Sequence, residues 1–397
     1  MLTLKEYQQR TLDALQQYFA ACRAQNDADK AFYSMTKIAY SPIKELPGLP
    51  YVCLRLPTGG GKTLVAAHAV GLAANEFLQV DHSLVLWLTP SNTIREQTFQ
   101  ALRNESHPYR QALNAALQSV TIVKLEEALF LRPSVYDAST VIVIASIQAF
   151  RVEDADLRRV YEPAGELKSH FLNLPEACLR FLETADGIPI PSLANVFRLR
   201  TPIVIVDEAH NARTPLSFQT LARFRPSCIL EFTATPATKD TPSNVLHAVS
   251  AAELNAEEMI KLPIRLESRE DWKELLSDAL AVRKDLEKTA LQEQNLTGEY
   301  IRPIMLLQAQ PKRKDQETLT VEVVKSCLIE DHKIPEEQIA IATGDIKELP
   351  ETGIAKPDCQ IRFVITVNAL REGWDCPFAY VLCSVAELRA STAVEQI

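Results

Sequence analysis

The chain has 397 residues, 47% of them hydrophobic and 23% charged, which is enough to bury two or three cores and too polar for a membrane protein. No apolar run approaches the roughly 20 residues that span a bilayer, and Lys5, Glu6 and Arg10 do not read as a secretory leader, so a cytoplasmic protein is expected. A net charge of −9 leaves any nucleic-acid contact to a local groove, and eight scattered cysteines without a Cys-x-x-Cys pair argue against zinc and disulfides.

In chain order, Leu4, Tyr7, Leu12, Leu15 and Phe19 recur at helical spacing and predict an amphipathic helix over residues 4–20. Three prolines and a glycine between residues 41 and 50 predict a linker. An apolar strand follows and stops at Pro57. Thr58-Gly59-Gly60-Gly61-Lys62-Thr63 then leads into an Ala-rich helical pattern. Strand, glycine loop and helix make a phosphate cradle, because glycines let backbone N–H groups approach phosphate oxygens and the helix N-terminus adds positive charge. Lys62 is placed to reach outer phosphates and Thr63 to ligate Mg2+. Leu56 stands where the full Gly-x-x-x-x-Gly-Lys-Thr pattern has its first glycine, and the loop alone also fits a solvated turn.

Apolar runs predict further strands at residues 83–88, 120–123, 140–145, 202–206 and 228–232, with helical patterns at 91–102 and 109–118 between them. Continuous Val/Ile/Leu runs alternating with helices imply an α/β fold with a mostly parallel sheet. Residues 151–200 break this rhythm and read as a helical insertion, whose Arg151, Arg158, Arg159, Lys168 and Arg180 fit a solvated face better than a nucleic-acid contact. Composition loosens from Asp240 to Pro263, which suggests a domain boundary and domains over 1–262 and 263–397. A charged helix is expected at 270–294, then strands at 304–307, 339–342, 361–366 and 380–384, which begin a second α/β domain left incomplete at residue 397.

The strand at 202–206 runs into Asp207-Glu208-Ala209-His210. Carboxylates at the C-terminal end of a parallel strand lie where such sheets hold ligands. Asp207 suits a hydrated Mg2+ and Glu208 suits the orientation and deprotonation of water, although the bare tetrapeptide also fits an acidic helix cap. Thr233-Ala234-Thr235-Pro236 follows the next strand. The remaining histidines have no metal-like spacing, and Trp87, Trp272, Cys376 and Cys383 read as packed side chains.

Taken in order, these three stretches resemble motifs I (Walker A), II (the DEAH box) and III of superfamily two helicases. The resemblance implies two RecA-like domains, ATP and Mg2+ as cofactors, and a catalytic set of Lys62, Asp207, Glu208 and His210. It assigns nucleotide contacts to Thr58, Gly59, Gly60, Gly61, Lys62 and Thr63, and the metal to Thr63 and Asp207. Gln8 resembles the glutamine that reads the adenine edge. Thr89-Pro90-Ser91 resembles motif Ia and Ser146-Ile147-Gln148 a second strand-tracking motif. With Thr233, Ala234, Thr235 and Thr366 they form the nucleic-acid and coupling group. Residues 369–375 resemble motif V, with Gly373 and Asp375 facing the nucleotide.

The wording of Pro-Thr-Gly-Gly-Gly-Lys-Thr, Glu-Phe-Thr-Ala-Thr-Pro and Arg-Glu-Gly-Trp-Asp-Cys-Pro is similar to the Res subunit of type III restriction enzymes. That implies a helicase or translocase motor on double-stranded DNA, with a methyltransferase subunit as partner and no membrane. Two alternatives stay open: a stand-alone DEAH-box helicase for RNA or repair intermediates, and an ATP-gated clamp with little turnover. Residues 391–397 resemble the start of motif VI, which in this family runs on into Gly-Arg-x-x-Arg. Arg371 and Arg389 do not match that pattern, so a motor truncated before its arginine finger, with slow turnover, is expected.

Overall fold

The computed structural model describes residues 3–146, 150, 160–207, 215–238, 241–259, 265, 267–312, 318–343, 354, 356–367, 376 and 378–385. The chain divides into two compact units, Met1–Leu262 and Pro263–Ile397. The first is built on seven strands: β1 (Tyr51–Arg55), β2 (Leu84–Thr89), β3 (Val120–Lys124), β4 (Thr140–Ser146), β7 (Ile203–Asp207), β8 (Cys228–Thr233) and β9 (Val245–Ala248). Their order across the sheet is β3-β4-β2-β7-β8-β1-β9, and every pair is parallel. β5 (Thr184–Ala185) and β6 (Ile188–Pro189) form a separate antiparallel pair.

Parallel strands need helical crossovers on both faces, so their side chains are buried whichever way they point. Val85, Trp87, Ile142, Ile144, Ile203, Ile205, Leu230 and Phe232 pack on one face, against helices α1 (Glu6–Gln25) and α3 (Lys62–Leu72). Leu84, Leu86, Leu88, Val141, Val143, Val204 and Ile229 face the other way, toward Phe197, Phe224 and Leu193. The period of two within unbroken apolar runs is therefore real, although polarity does not mark it. Each large side chain fully buried this way contributes about 1.5–3 kcal/mol.

The expected strands are all present, with ends shifted by no more than two residues. Two features differ from expectation. The loosened stretch after Asp240 holds β9, which pairs with β1, and the helix Ala251–Ala256, both within the first unit. Ser243, Asn244 and Glu253 gave it a polar composition because they cap and bridge. Asn244 donates to Ser41 O and Tyr51 O, and Ser250 and Glu253 close a capping box. The second is the segment read as a helical insertion. Its described part carries a 3-10 turn (Gly165–Phe171), the β5–β6 pair and the helix Leu193–Arg200. Buried His170 fixes it, its Nε2 lying 2.8 Å from Leu131 O.

In the second unit β10 (Ile304–Gln308), β11 (Ile339–Ala342), β12 (Phe363–Thr366) and β13 (Ala379–Ser384) form a parallel sheet of order β11-β12-β10-β13. The helix Trp272–Thr297 packs on it through Leu276 and its neighbours. Arg283 and Arg362 both bind Glu287, at 2.6 and 3.0 Å. Burial pushes the Glu287 carboxyl upward, but the two guanidiniums outweigh it and hold the group below the ordinary carboxylate range.

Helix α3 passes closest to α5 (Pro108–Ala116) at Gly71, where an added Cβ would collide with Ala116 Cβ. Neither atom has a rotamer to escape into. Gly71→Ala should therefore cost about 1–3 kcal/mol of overpacking, outweighing the gain of about 1 kcal/mol in helix propensity. Urea unfolding of Gly71→Ala should show a lowered midpoint, with Ala116→Gly in the same chain recovering most of it. A midpoint at or above the parent value would overturn this account.

Candidate functional site

Because every pair in the first sheet is parallel, all strand C-termini lie on one edge, about 4.8 Å apart. Reading across, that edge presents Ser146 (β4), Thr89 (β2), Asp207 (β7), Thr233 (β8) and then the glycine loop after β1. Five stretches scattered over the sequence are thus brought into one row.

The loop begins in the core. Leu56 is fully buried, and its N–H donates to Thr233 O at 3.1 Å. That burial explains why an apolar residue stands where the phosphate-loop pattern has glycine. Gly60 N–H turns back to Pro57 O at 3.0 Å, and Gly59 and Gly61 take φ of 81° and 75°, which a Cβ would strain. At Gly61 there is also no room, since a Cβ would sit 2.5 Å from Gln8 Nε2. Gln8 itself is buried. Its Oε1 accepts from Lys5 N–H and its Nε2 donates to Gly60 O, both at 3.1 Å, while the Tyr7 hydroxyl donates to the same carbonyl at 3.0 Å. Burial, then the Glu257 carboxylate, pushes the Tyr7 phenol above its ordinary pKa, so it stays a donor.

Gly61 caps α3 in a left-handed conformation and offers no side chain to the first N–H groups of the helix. Lys62 and Asp207 are both buried, 8% and 4% exposed. Thr63 Oγ1 donates to Asp207 Oδ2 at 3.3 Å across the intervening strand. The donor set fits the expected ligands: glycine-lined N–H groups and a buried ammonium for phosphates, and paired hydroxyl and carboxylate oxygens for a hard cation such as Mg2+. Glu208, Ala209 and His210 lie outside the described residues, as do Gly373 and Asp375.

After β8 the chain leaves the edge through Thr233-Ala234-Thr235. Thr233 is fully buried, and its Oγ1 accepts from Thr235 N–H at 3.2 Å. Arg55 Nε holds Ala234 O at 3.2 Å. The Thr235 hydroxyl is buried and has no hydrogen-bond partner among the described residues. Beneath the turn lies Glu231, 1% exposed in an otherwise apolar strand. It accepts from Tyr51 OH at 2.7 Å and from Ser243 Oγ at 3.1 Å, and Ser243 Oγ in turn accepts from Ala237 N–H at 3.0 Å. Glu231 thus pins the segment that follows Thr235 to two strands. Sequence reading missed it, though a lone acid inside Cys-Ile-Leu-Glu-Phe-Thr was its signal.

The remaining residues are less accessible than expected. Thr89 is 1% exposed, and its hydroxyl turns inward to Ala145 O and Ser91 O. Pro90 is also buried, and Ser91 spends its oxygen capping the helix Asn92–Arg103, accepting from Ile94 N–H. Ser146 is buried at the end of β4, while Ile147 and Gln148 lie outside the described residues. In the second unit Thr366 ends β12, its buried hydroxyl without a hydrogen-bond partner among the described residues, near Gln308 and Ser384, which bond each other at 3.1 Å.

A family model described as "Type III restriction enzyme, res subunit" matches residues 1–238. No curated protein matches the chain. Among solved structures the chain is similar to the "ATP-dependent Type ISP restriction-modification enzyme LlaBIII bound to DNA", at 13% identity and a TM-score of 0.50, over 100% of this chain and 26% of that one. Weaker likenesses are to a nuclease-deletion mutant of the Type ISP enzyme LlaGI (13% identity, TM-score 0.34, 74% of this chain and 24% of that one) and to the Sulfolobus solfataricus SWI2/SNF2 ATPase core in complex with dsDNA (11% identity, TM-score 0.27, 85% and 76%). The likeness to LlaBIII shows the fold, and the chain spans about a quarter of that protein's length.

Gln8→Ala removes one bond to the α1 N-terminus and one to the loop, and leaves Tyr7 on Gly60 O. Two net hydrogen bonds correspond to about 1–2 kcal/mol. We expect a lower urea midpoint by that amount and faster amide exchange over residues 59–61. If exchange in the loop is unchanged, Gln8 does not pin it.

Proposed function

The chain belongs to the type III restriction enzyme res-subunit family, and on that premise we propose that it is a nucleic-acid-stimulated ATPase that translocates on double-stranded DNA. The observation that carries the reading is the Thr63–Asp207 contact at 3.3 Å, which joins the glycine loop to the carboxylate strand at one edge of the sheet. In this reading the Lys62 ammonium and the N–H groups of Gly59, Gly61 and Lys62 would hold the phosphates, while Thr63 and Asp207 would hold Mg2+. The ion's contribution when bound is to neutralise charge on the outer phosphates. Glu208 orients water and takes its proton, and His210 supports that carboxylate strand end. Gln8, Thr58, Gly373 and Asp375 complete the nucleotide contacts.

Thr233-Ala234-Thr235 relays the change outward. The turn shares Leu56 and Arg55 with the loop strand, so a shift in the loop moves it directly. Thr89, Pro90, Ser91, Ser146 and Thr366 border the nucleic acid, Ser91 through the helix N-terminus it caps and buried Thr89 by holding that turn in place. A methyltransferase partner and cytoplasmic location belong to the same reading.

ATP turnover measured with and without duplex DNA tests it. Duplex should raise the rate, and Lys62→Ala should weaken nucleotide binding about ten- to a hundredfold, the loss of a charge-assisted contact. Glu208→Gln should bind ATP as the parent does and hydrolyse it about 10²–10⁴ times more slowly. Parent-rate hydrolysis by both variants would sink the assignment. Duplex affinity should fall steeply with salt despite the net charge of −9, since the contacts run to phosphates. A flat salt response would point to a protein-binding role instead.

A further inference from the structure

The opposite edge of the same sheet carries a cleft of about 440 Å³. Its lining includes Pro50, Thr201 and Ser227, which precede β1, β7 and β8, so it lies a full strand length, roughly 17–20 Å, from the glycine loop. Two lining residues, Thr201 and Arg225, are left-handed with φ of 44° and 50°. Each ends a helical segment and precedes a proline, Pro202 or Pro226. Glycine would serve both stops without strain, and a left-handed β-branched residue is a marked outlier. What the chain keeps at these positions is the side chain, at a conformational cost.

The charge around Arg225 is unbalanced. Its guanidinium lies 3.5 Å from the centroid of the Phe181 ring, and Arg180 stacks on the same ring at 4.5 Å. Arg198 and Arg223 share one carboxylate, Glu183, at 3.2 and 3.1 Å. Among the described residues no carboxylate lies within ion-pair distance of Arg225 or Arg180. The carboxylate in the cleft lining belongs to exposed Glu45. Burial, then Arg198 and Arg180, lowers the Arg225 pKa, as expected of a cation held among cations. Ser227 already donates to Pro202 O, whereas the Thr201 hydroxyl makes no hydrogen bond among the described residues.

We propose that this cleft binds a phosphate group, with the Arg225 guanidinium and the Thr201 hydroxyl as its donors. The Arg225 guanidinium, set over the Phe181 ring, carries a planar fork of N–H donors for two parallel N–H···O bonds, which suits a phosphate better than an ammonium would. A neighbouring hydroxyl is a common companion in such contacts. The site stands apart from the glycine loop and does not depend on the motor reading. The phosphate comes either from a free phosphate compound or from a nucleic-acid backbone.

The test is thermal unfolding of the full chain, titrated with inorganic phosphate at fixed ionic strength. Lys62→Ala serves as the background, so that the glycine loop contributes little to the response. Phosphate should raise the melting temperature saturably. Arg225→Gly should weaken the apparent phosphate affinity about ten- to a hundredfold, while raising the phosphate-free melting temperature because the left-handed strain is gone. Arg225→Lys keeps the charge and loses the fork, and should bind phosphate several-fold more weakly. A short DNA duplex in the same assay assigns the source: weaker duplex binding by Arg225→Gly identifies the backbone, and unchanged duplex binding identifies a free phosphate compound. A phosphate response equal in all three chains, or absent from the background chain, overturns the proposal.

Discussion

Burial of the first sheet on both faces is the constraint from which the rest follows. A strand covered on two sides has no position for a charged side chain along most of its length, so polar chemistry moves to the strand ends. Parallel pairing then collects those ends on two edges. One edge gathers the glycine loop, Asp207 and Thr233; the other gathers Thr201 and Arg225. The exception proves expensive to arrange: Glu231, inside β8, needs Tyr51 and Ser243 to satisfy its oxygens. Through Ser243 it ties Ala237, just after Thr235, to the core.

Much of this was legible in the sequence because it was local. Apolar runs marked the strands, and Pro57 with three glycines marked the loop, since a backbone that must turn left-handed leaves a compositional trace. What escaped depended on partners far along the chain. β9 was hidden because its polar neighbours serve as caps and bridges, so it read as a boundary. The inward turn of Thr89 rests on Ala145, a strand away, and nothing near residue 89 signals it. Gln8 was assigned to an adenine edge by resemblance; its contact with Gly60 spans 52 residues and is visible only in three dimensions.

The second unit adds electrostatics to the burial of its sheet. Arg302 is 2% exposed, and among the described residues its guanidinium is met by the carbonyls of Ile354, Lys356 and Cys359 and by the Tyr300 hydroxyl. A single cation thereby ties together the chain at Ile354, Lys356 and Cys359. Together with the two arginines on Glu287, it ties segments that flank the four-stranded sheet.

The strand order also sets a problem in time. β1 lies between β8 and β9, and Tyr51 meets its partner Glu231 180 residues later in the chain. At the roughly 5–20 residues per second of protein synthesis, β1 waits on the order of ten to forty seconds for the strand that covers it. During that interval Val52, Cys53 and Leu54, all fully buried at the end, are an unpaired apolar strand. The glycine loop is attached to this strand, so the edge that carries it is completed late.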